Sequence, residues 1–193
     1  MKIRNLESKQ EVEKRKRKNQ WIIGGILIIV MLGSTFGYAF YQLSGNKTDI
    51  TKFSYNGYNF LNENDFWTTT IGSYKFMFKY NPSQVERIPA KVNYLNTYSG
   101  APLYVSSEDY VATAEVYQNL GNIVQRFQGA CLNETNCQEN WPIKDCSNNF
   151  IIIRISNESR IYQDQKCVFI EGKQENITQI TDEFLFWTTG IEK

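Results

Sequence analysis

The chain holds four cysteines, Cys131, Cys137, Cys146 and Cys167, and no histidine. Three of them fall within CLNETNCQENWPIKDC, separated by five and then eight residues, and the fourth follows after twenty more. No CxxC occurs. A thioredoxin-like redox motif or a zinc ribbon needs that tight pair to present two sulfurs to one centre. Without imidazole, Ser-His-Asp and Cys-His catalysis, HExxH hydrolases and most transition-metal sites drop out. Neither GxxxxGK[ST] nor GxGxxG appears, so a phosphate-cradling loop has no support. What remains is carboxylate chemistry on a glycan, with Glu108 beside Asp109 and Asp182 beside Glu183 as the candidate acid–base pairs. Adjacent acids on a helix point apart, however, and both pairs are expected near helix starts, where the helix dipole favours a carboxylate. No catalytic residue, cofactor or metal ligand is therefore expected, and the chain reads as a non-enzyme. The cysteines read as covalent stitching, provided that the compartment is oxidising.

The charge distribution speaks to the compartment. Residues 1–20 carry eight Lys/Arg against three Glu, and residues 46–193 carry 13 bases against 17 acids. A run such as KRKRK also occurs in nucleic-acid tails. Here it is followed by WIIGGILIIVMLGSTFGYAFY, residues 21–41, without a single charge. At about 1.5 Å per residue, this run as a helix is roughly as long as the hydrocarbon core of a bilayer is thick. Trp21, Tyr38 and Tyr41 stand near its ends, where aromatic residues favour the membrane interface. Basic flanks stay inside the cell, so the N-terminus is expected in the cytoplasm and the rest outside. A cleaved signal peptide, with Gly37-Tyr38-Ala39 as its small-x-small site, is the competing reading. The long basic arm and the length of the apolar run favour an uncleaved signal-anchor. The expected organisation is a basic cytoplasmic arm (1–20), a transmembrane helix (21–43), a linker (44–51) and an extracytoplasmic domain (52–193). The expected partners are the lipid membrane and a protein of the envelope or membrane, with no nucleic acid. Gly33 and Gly37 form one GxxxG, which permits close approach of two membrane helices.

Outside the cytoplasm four cysteines read as two disulfides, and four cysteines allow three pairings. The spacing favours Cys131–Cys137 with Cys146–Cys167 without fixing the connectivity. Four N-x-S/T sequons, at Asn46, Asn133, Asn157 and Asn176, all lie beyond the apolar run and are candidate glycosylation sites.

In the domain, KFSY-NG-YNFL and FWTTTI-GS-YKFMFKY predict two hairpins. Tyr74, Phe76, Phe78 and Tyr80 alternate with Lys75, Met77 and Lys79, the period of a half-buried strand. NPSQVERIP predicts a single helical turn with Pro82 near its start. PLYVS (102–106) predicts a strand. Val111, Ala114, Tyr117, Leu120, Val124 and Phe127 then recur every three or four residues, predicting a helix of about 20 residues capped by Ser107 and stopped at Gly129. FIIIRI (150–155), RIY and CVFIEG predict further strands, and Ile180, Phe184 and Trp187 mark a helix over 178–189. The fold expected is α+β, with a mostly antiparallel sheet and two packed helices.

NGYNFLNENDFWTTTIGSYKFMFKYNPSQVERIP resembles a region of small single-pass membrane-anchored proteins of small-genome archaea. In these a basic arm and one span precede a YNG turn, a Trp-containing strand and an N-P-x-x-V-E-x-I-P segment. The tail is similar too, through AC, P-I-K-D-C, the Cys of KCVFIEG and a closing helix ending in GI. The likeness covers most of residues 10–191. It implies the same topology and disulfide placement and no catalytic residue, because that family has no established activity. The expected function is a non-enzymatic binding or interaction protein of the cell envelope. The alternatives are an accessory subunit of a membrane complex and a membrane-tethered, carboxylate-dependent hydrolase.

Overall fold

One helix, α1 (Lys9–Leu43), forms the described part of the N-terminal unit. The computed structural model describes residues 9–43, 51–132, 137 and 140–192, in two units, Met1–Thr48 and Asp49–Lys193. Ser34, within the apolar run, donates its hydroxyl proton to the Val30 carbonyl at 2.8 Å, which satisfies that hydroxyl inside the helix. Among the described residues no helix is long and apolar enough to cross a membrane. The apolar run of the sequence continues through 35–41, whose side chains lie outside the described set. The 44–51 linker, Thr51 excepted, also lies outside it.

The C-terminal unit begins with a meander. β1 (Lys52–Tyr55) and β2 (Tyr58–Glu63) are joined by Asn56-Gly57, with φ of 48° and 87°. Both central residues of such a two-residue turn need positive φ, which glycine adopts freely and asparagine with little strain. Asn64 and Asp65, also at positive φ, turn the chain into β3 (Phe66–Ile71), and Gly72-Ser73 turns it into β4 (Tyr74–Phe78). The four strands form one antiparallel sheet in sequence order. The NPSQVERIP segment forms a single turn, closed by Gln84 N–H on the Asn81 carbonyl at 2.9 Å, and no helix.

A second sheet is built from β5 (Pro102–Ser107), β6 (Arg126–Gly129), β9 (Phe150–Ile155), β10 (Arg160–Asp164) and β11 (Cys167–Gly172). Between β6 and β9 lies a small lobe, in which β7 (Cys131–Leu132) pairs in parallel with β8 (Ile143–Lys144). The five-stranded sheet has the order β10-β11-β9-β5-β6, and only β10 and β11 run antiparallel. The expected mostly antiparallel sheet is thus corrected to one antiparallel and one mixed sheet. The physical reason lies in FIIIRI and CVFIEG. A near-continuous apolar run suits a strand covered on both faces, the situation of parallel strands. Phe150 to Ile153 are buried, and so is every residue of β11.

Between β5 and β6 stands α2 (Tyr110–Leu120), eleven residues instead of about twenty. Its cap is Asp109, whose carboxylate accepts the Ala112 N–H at 2.7 Å; Ser107 holds that cap by accepting the Asp109 N–H at 3.0 Å. Phe127 belongs to β6, because β5 offers the chain a neighbouring strand to pair with. α3 (Ile177–Thr189) matches its expected span closely and packs on α2 and β11. A Cβ on Gly172 would stand 2.1 Å from Ile180 Cδ1, so the tip of the Ile180 side chain occupies the space that glycine leaves open. The main core joins Phe60, Phe76 and Phe78 of the first sheet to Val116, Leu120, Phe184 and Phe186 of the helices. It continues into Leu103, Val105, Ile151, Ile153 and Val168 of the second sheet.

Candidate functional site

The first half of the expected apolar stripe of α2 faces the wrong way, while Leu120 and Val124 are buried as expected. Val111, Ala114 and Tyr117 are exposed, while Glu115 and Asn119 share the buried face with Ala112, Val116 and Leu120. The cause lies in β4, the edge strand of the antiparallel sheet, whose outer backbone groups would otherwise be unpaired. Asn119 acts as a short substitute strand. Its amide accepts the Met77 N–H at 2.9 Å and donates to the Met77 carbonyl at 2.7 Å. Asp182, from α3, accepts the Tyr80 N–H at 2.8 Å. Glu115 and Asp182 face one another here, and burial first, then the neighbouring carboxylate, hold Asp182 well above the usual carboxylate range. Burial also raises Glu115.

This corrects the expectation that Asp182 and Glu183 sit at a helix start. They lie mid-α3 with 0% and 1% of their surface exposed, and no acid occupies the first turn. The two do point apart, as adjacent helical residues must. Glu183 accepts the Ile88 N–H at 3.2 Å and the Trp187 indole N–H at 2.9 Å; that same N–H also donates to the Ile88 carbonyl at 3.0 Å. Burial pushes the Glu183 carboxyl up to about 7. Glu192, buried at the end of the chain, accepts the Tyr55 hydroxyl and lies 3.2 Å from Arg87 Nη2. These acids tie the 80–88 segment and the first hairpin to α3.

Of the other proposed pair, Asp109 is the α2 cap described above, and Glu108 accepts the Ile155 N–H at 2.8 Å. The cysteines form the bridges Cys131–Cys137 and Cys146–Cys167. Cys146 lies in the turn before β9 rather than on a strand, and its bridge fastens that turn to the first residue of β11. Asn157 is exposed in the β9–β10 connection, and Asn176 is half-buried at the start of α3; Asn46 and Asn133 lie outside the described residues. Among the described residues no three His, Cys, Asp or Glu side chains come together to hold a metal ion.

Open clefts occur elsewhere. One, of about 420 Å³, runs from the α2 cap, past Tyr110 and Phe127, to the ring of Trp141. Tyr117 meets Phe127 edge-to-face at 5.1 Å beside it. Another, of about 490 Å³, lies where the 90–94 segment, the β10–β11 turn and Trp187 converge. A third, of about 460 Å³, follows Asn59, Glu63, Thr70 and Lys75 on the antiparallel sheet. None of the three is lined by Glu115, Asp182 or Glu183. The signal for the first cleft was present in the sequence only as Phe127, the last residue of the supposed core stripe of α2. The second cleft unites residues some 70 positions apart and left no sequence signal.

No protein-family model, curated protein or solved structure matches the chain.

Proposed function

We propose that this chain is a single-pass membrane protein that presents its disulfide-bonded domain outside the cell as a non-enzymatic binding protein. The observation that carries the binding reading is the outward face of α2. Tyr110, Val111, Ala114, Tyr117 and Gln118 form an exposed face without a charge, with Tyr110 at 87% and Tyr117 at 60% exposure. Aromatic enrichment and depletion of charge mark the centres of protein–protein interfaces, and tyrosine is prominent among their hot spots. The adjoining cleft with Phe127 and Trp141 extends that surface. Two disulfides suit an oxidising compartment. The basic arm followed by the uncharged 21–41 run supports anchorage with the N-terminus in the cytoplasm. The buried carboxylates serve backbone hydrogen bonds, and Glu108 and Asp109, which line the cleft beside α2, are held by the Ile155 and Ala112 N–H groups, which favours a binding role over hydrolysis.

The test is affinity purification of the full chain from crosslinked cells in mild detergent, alongside a Tyr110→Ser/Tyr117→Ser variant. A protein recovered with the native chain and lost with the variant is expected; recovery of the chain alone from both would sink the interface reading. Protease added to intact cells should remove the domain, and an untouched domain would overturn the location. Replacing the span with an unrelated apolar helix should spare partner recovery here, whereas an accessory subunit held through its span would lose it.

A further inference from the structure

The cleft beside Trp187 differs in chemistry from the α2 face. Its lining includes Lys91, Asn93, Tyr94, Gln163, Gln165 and Trp187, and none of its lining side chains is acidic. Three primary amides therefore stand with two aromatic rings in a space within the usual volume range of small-ligand sites. The frame is rigid where it needs to be. The Trp187 ring is fixed by its indole N–H bonds to Ile88 and Glu183, and the Arg87 guanidinium stands 5.9 Å from the ring centre. Gln163 accepts the Asn93 N–H at 2.7 Å and donates to the Gln165 carbonyl at 2.6 Å, locking the two loops together. Tyr94, by contrast, is 62% exposed. Among the described residues no hydrogen bond or ion pair engages the side chains of Lys91, Asn93 or Gln165.

The geometry points to a glycan site, selective for an acidic sugar such as a hexuronate. Each free amide offers donors and an acceptor together, which matches the paired donor and acceptor character of neighbouring sugar hydroxyls. The Tyr94 and Trp187 rings give apolar surfaces for the C–H face of a pyranose ring. The Lys91 ammonium, with no acidic partner, meets the sugar carboxylate. An apolar small molecule would call for a more enclosed and less polar cavity.

This assignment deepens the binding reading above and rests on it only for the source of the glycan. The test therefore uses purified full-length chain, in a detergent that carries no sugar headgroup, and does not depend on the topology. Calorimetric titration with trigalacturonate is expected to show saturable binding. Tyr94→Ala and Gln165→Ala should each weaken it about tenfold with an unchanged thermal midpoint, since both side chains lie on the surface. Lys91→Gln should abolish the preference over tri-N-acetylglucosamine. The glycan site is overturned by absence of binding to either trisaccharide, or by Tyr94→Ala and Gln165→Ala variants that bind as the native chain does. Equal affinity of the native chain for the two trisaccharides would overturn the acidic selectivity. Failure of the protease experiment with this binding intact would sink the location alone.

Discussion

The two sheets of the domain bury their residues by different rules. In the antiparallel meander one face meets the core and the other meets water, so β4 buries Phe76 and Phe78 while Lys75 stays out and pairs with Glu63 at 2.7 Å. In the mixed sheet the central strands are covered twice. Ile151, Ile153, Val168 and Ile170 face the helices, while Phe150, Ile152, Cys167 and Phe169 form a second core with Tyr104 and Ala130, packed against Leu132 and Cys146 of the disulfide-bearing lobe. The lesson is that a small lobe carrying the β7–β8 pair takes the place of a helical layer. Its bridges hold it where the hydrophobic effect alone would have few residues to work with.

The sharpest way to break this contrast is a substitution on the lobe side of the mixed sheet. Ile152→Ala should cost about 2–5 kcal/mol in urea unfolding, as for any buried aliphatic truncation. A tolerance like that of a surface position would show that the second face is not a core. Next, Cys146→Ala/Cys167→Ala should cost roughly 2–4 kcal/mol and expose that face to apolar dyes. Loss of stability without dye binding would mean that the lobe stays seated unaided. Asn119→Ala leaves the β4 edge unpaired and should cost about 1–3 kcal/mol, with increased self-association through the bared strand.

A pH series sharpens the comparison further, because the buried acids belong to the helices and the meander's connections. The folded-state pKa of Glu183, at about 7, lies above its ordinary value, so the folded protein holds this proton more tightly than the unfolded chain does. Its contribution is fully present below the ordinary carboxylate range and is lost as pH rises through about 7, and Asp182 acts in the same direction. Urea midpoints should therefore fall over that window, and Glu183→Gln should flatten the fall. A midpoint that rises with pH would contradict the burial of these carboxyls. Smallest of all, Thr70→Ser, opposite Lys75 on the wet side of the meander, should change stability by no more than about 0.5 kcal/mol.

Much of the meander was legible in its residues. Asn56-Gly57 and Gly72-Ser73 mark turns by backbone conformation, a local property, and the aromatic–lysine alternation of β4 gives the period of two directly. The favoured cysteine pairs are the bridges found. Three expectations failed for one common reason. The stripe of α2, the length of that helix and the place of Asp182 and Glu183 were all judged from local pattern. Each is set by a neighbour distant in the chain: the open edge of β4, the pairing of β6 with β5, and the backbone of residues 80–88. Hydrophobic periodicity assumes that a buried position is an apolar one, and Glu115 and Asn119 break that assumption because a sheet edge supplies their hydrogen bonds.

By itself the sequence determined the turns, the strand-forming segments, the closing helix and the division into an N-terminal arm with an apolar run and a β-rich domain. These follow from backbone preferences and short-range periodicity. Only the tertiary structure decided strand order, the parallel pairing of β5, β6, β9 and β11, the outward turn of the α2 tyrosines and the convergence of Tyr94, Gln165 and Trp187 on one cleft. Those features depend on which unpaired backbone groups and uncovered apolar faces meet across the chain, and residues distant in sequence carry no local record of that meeting.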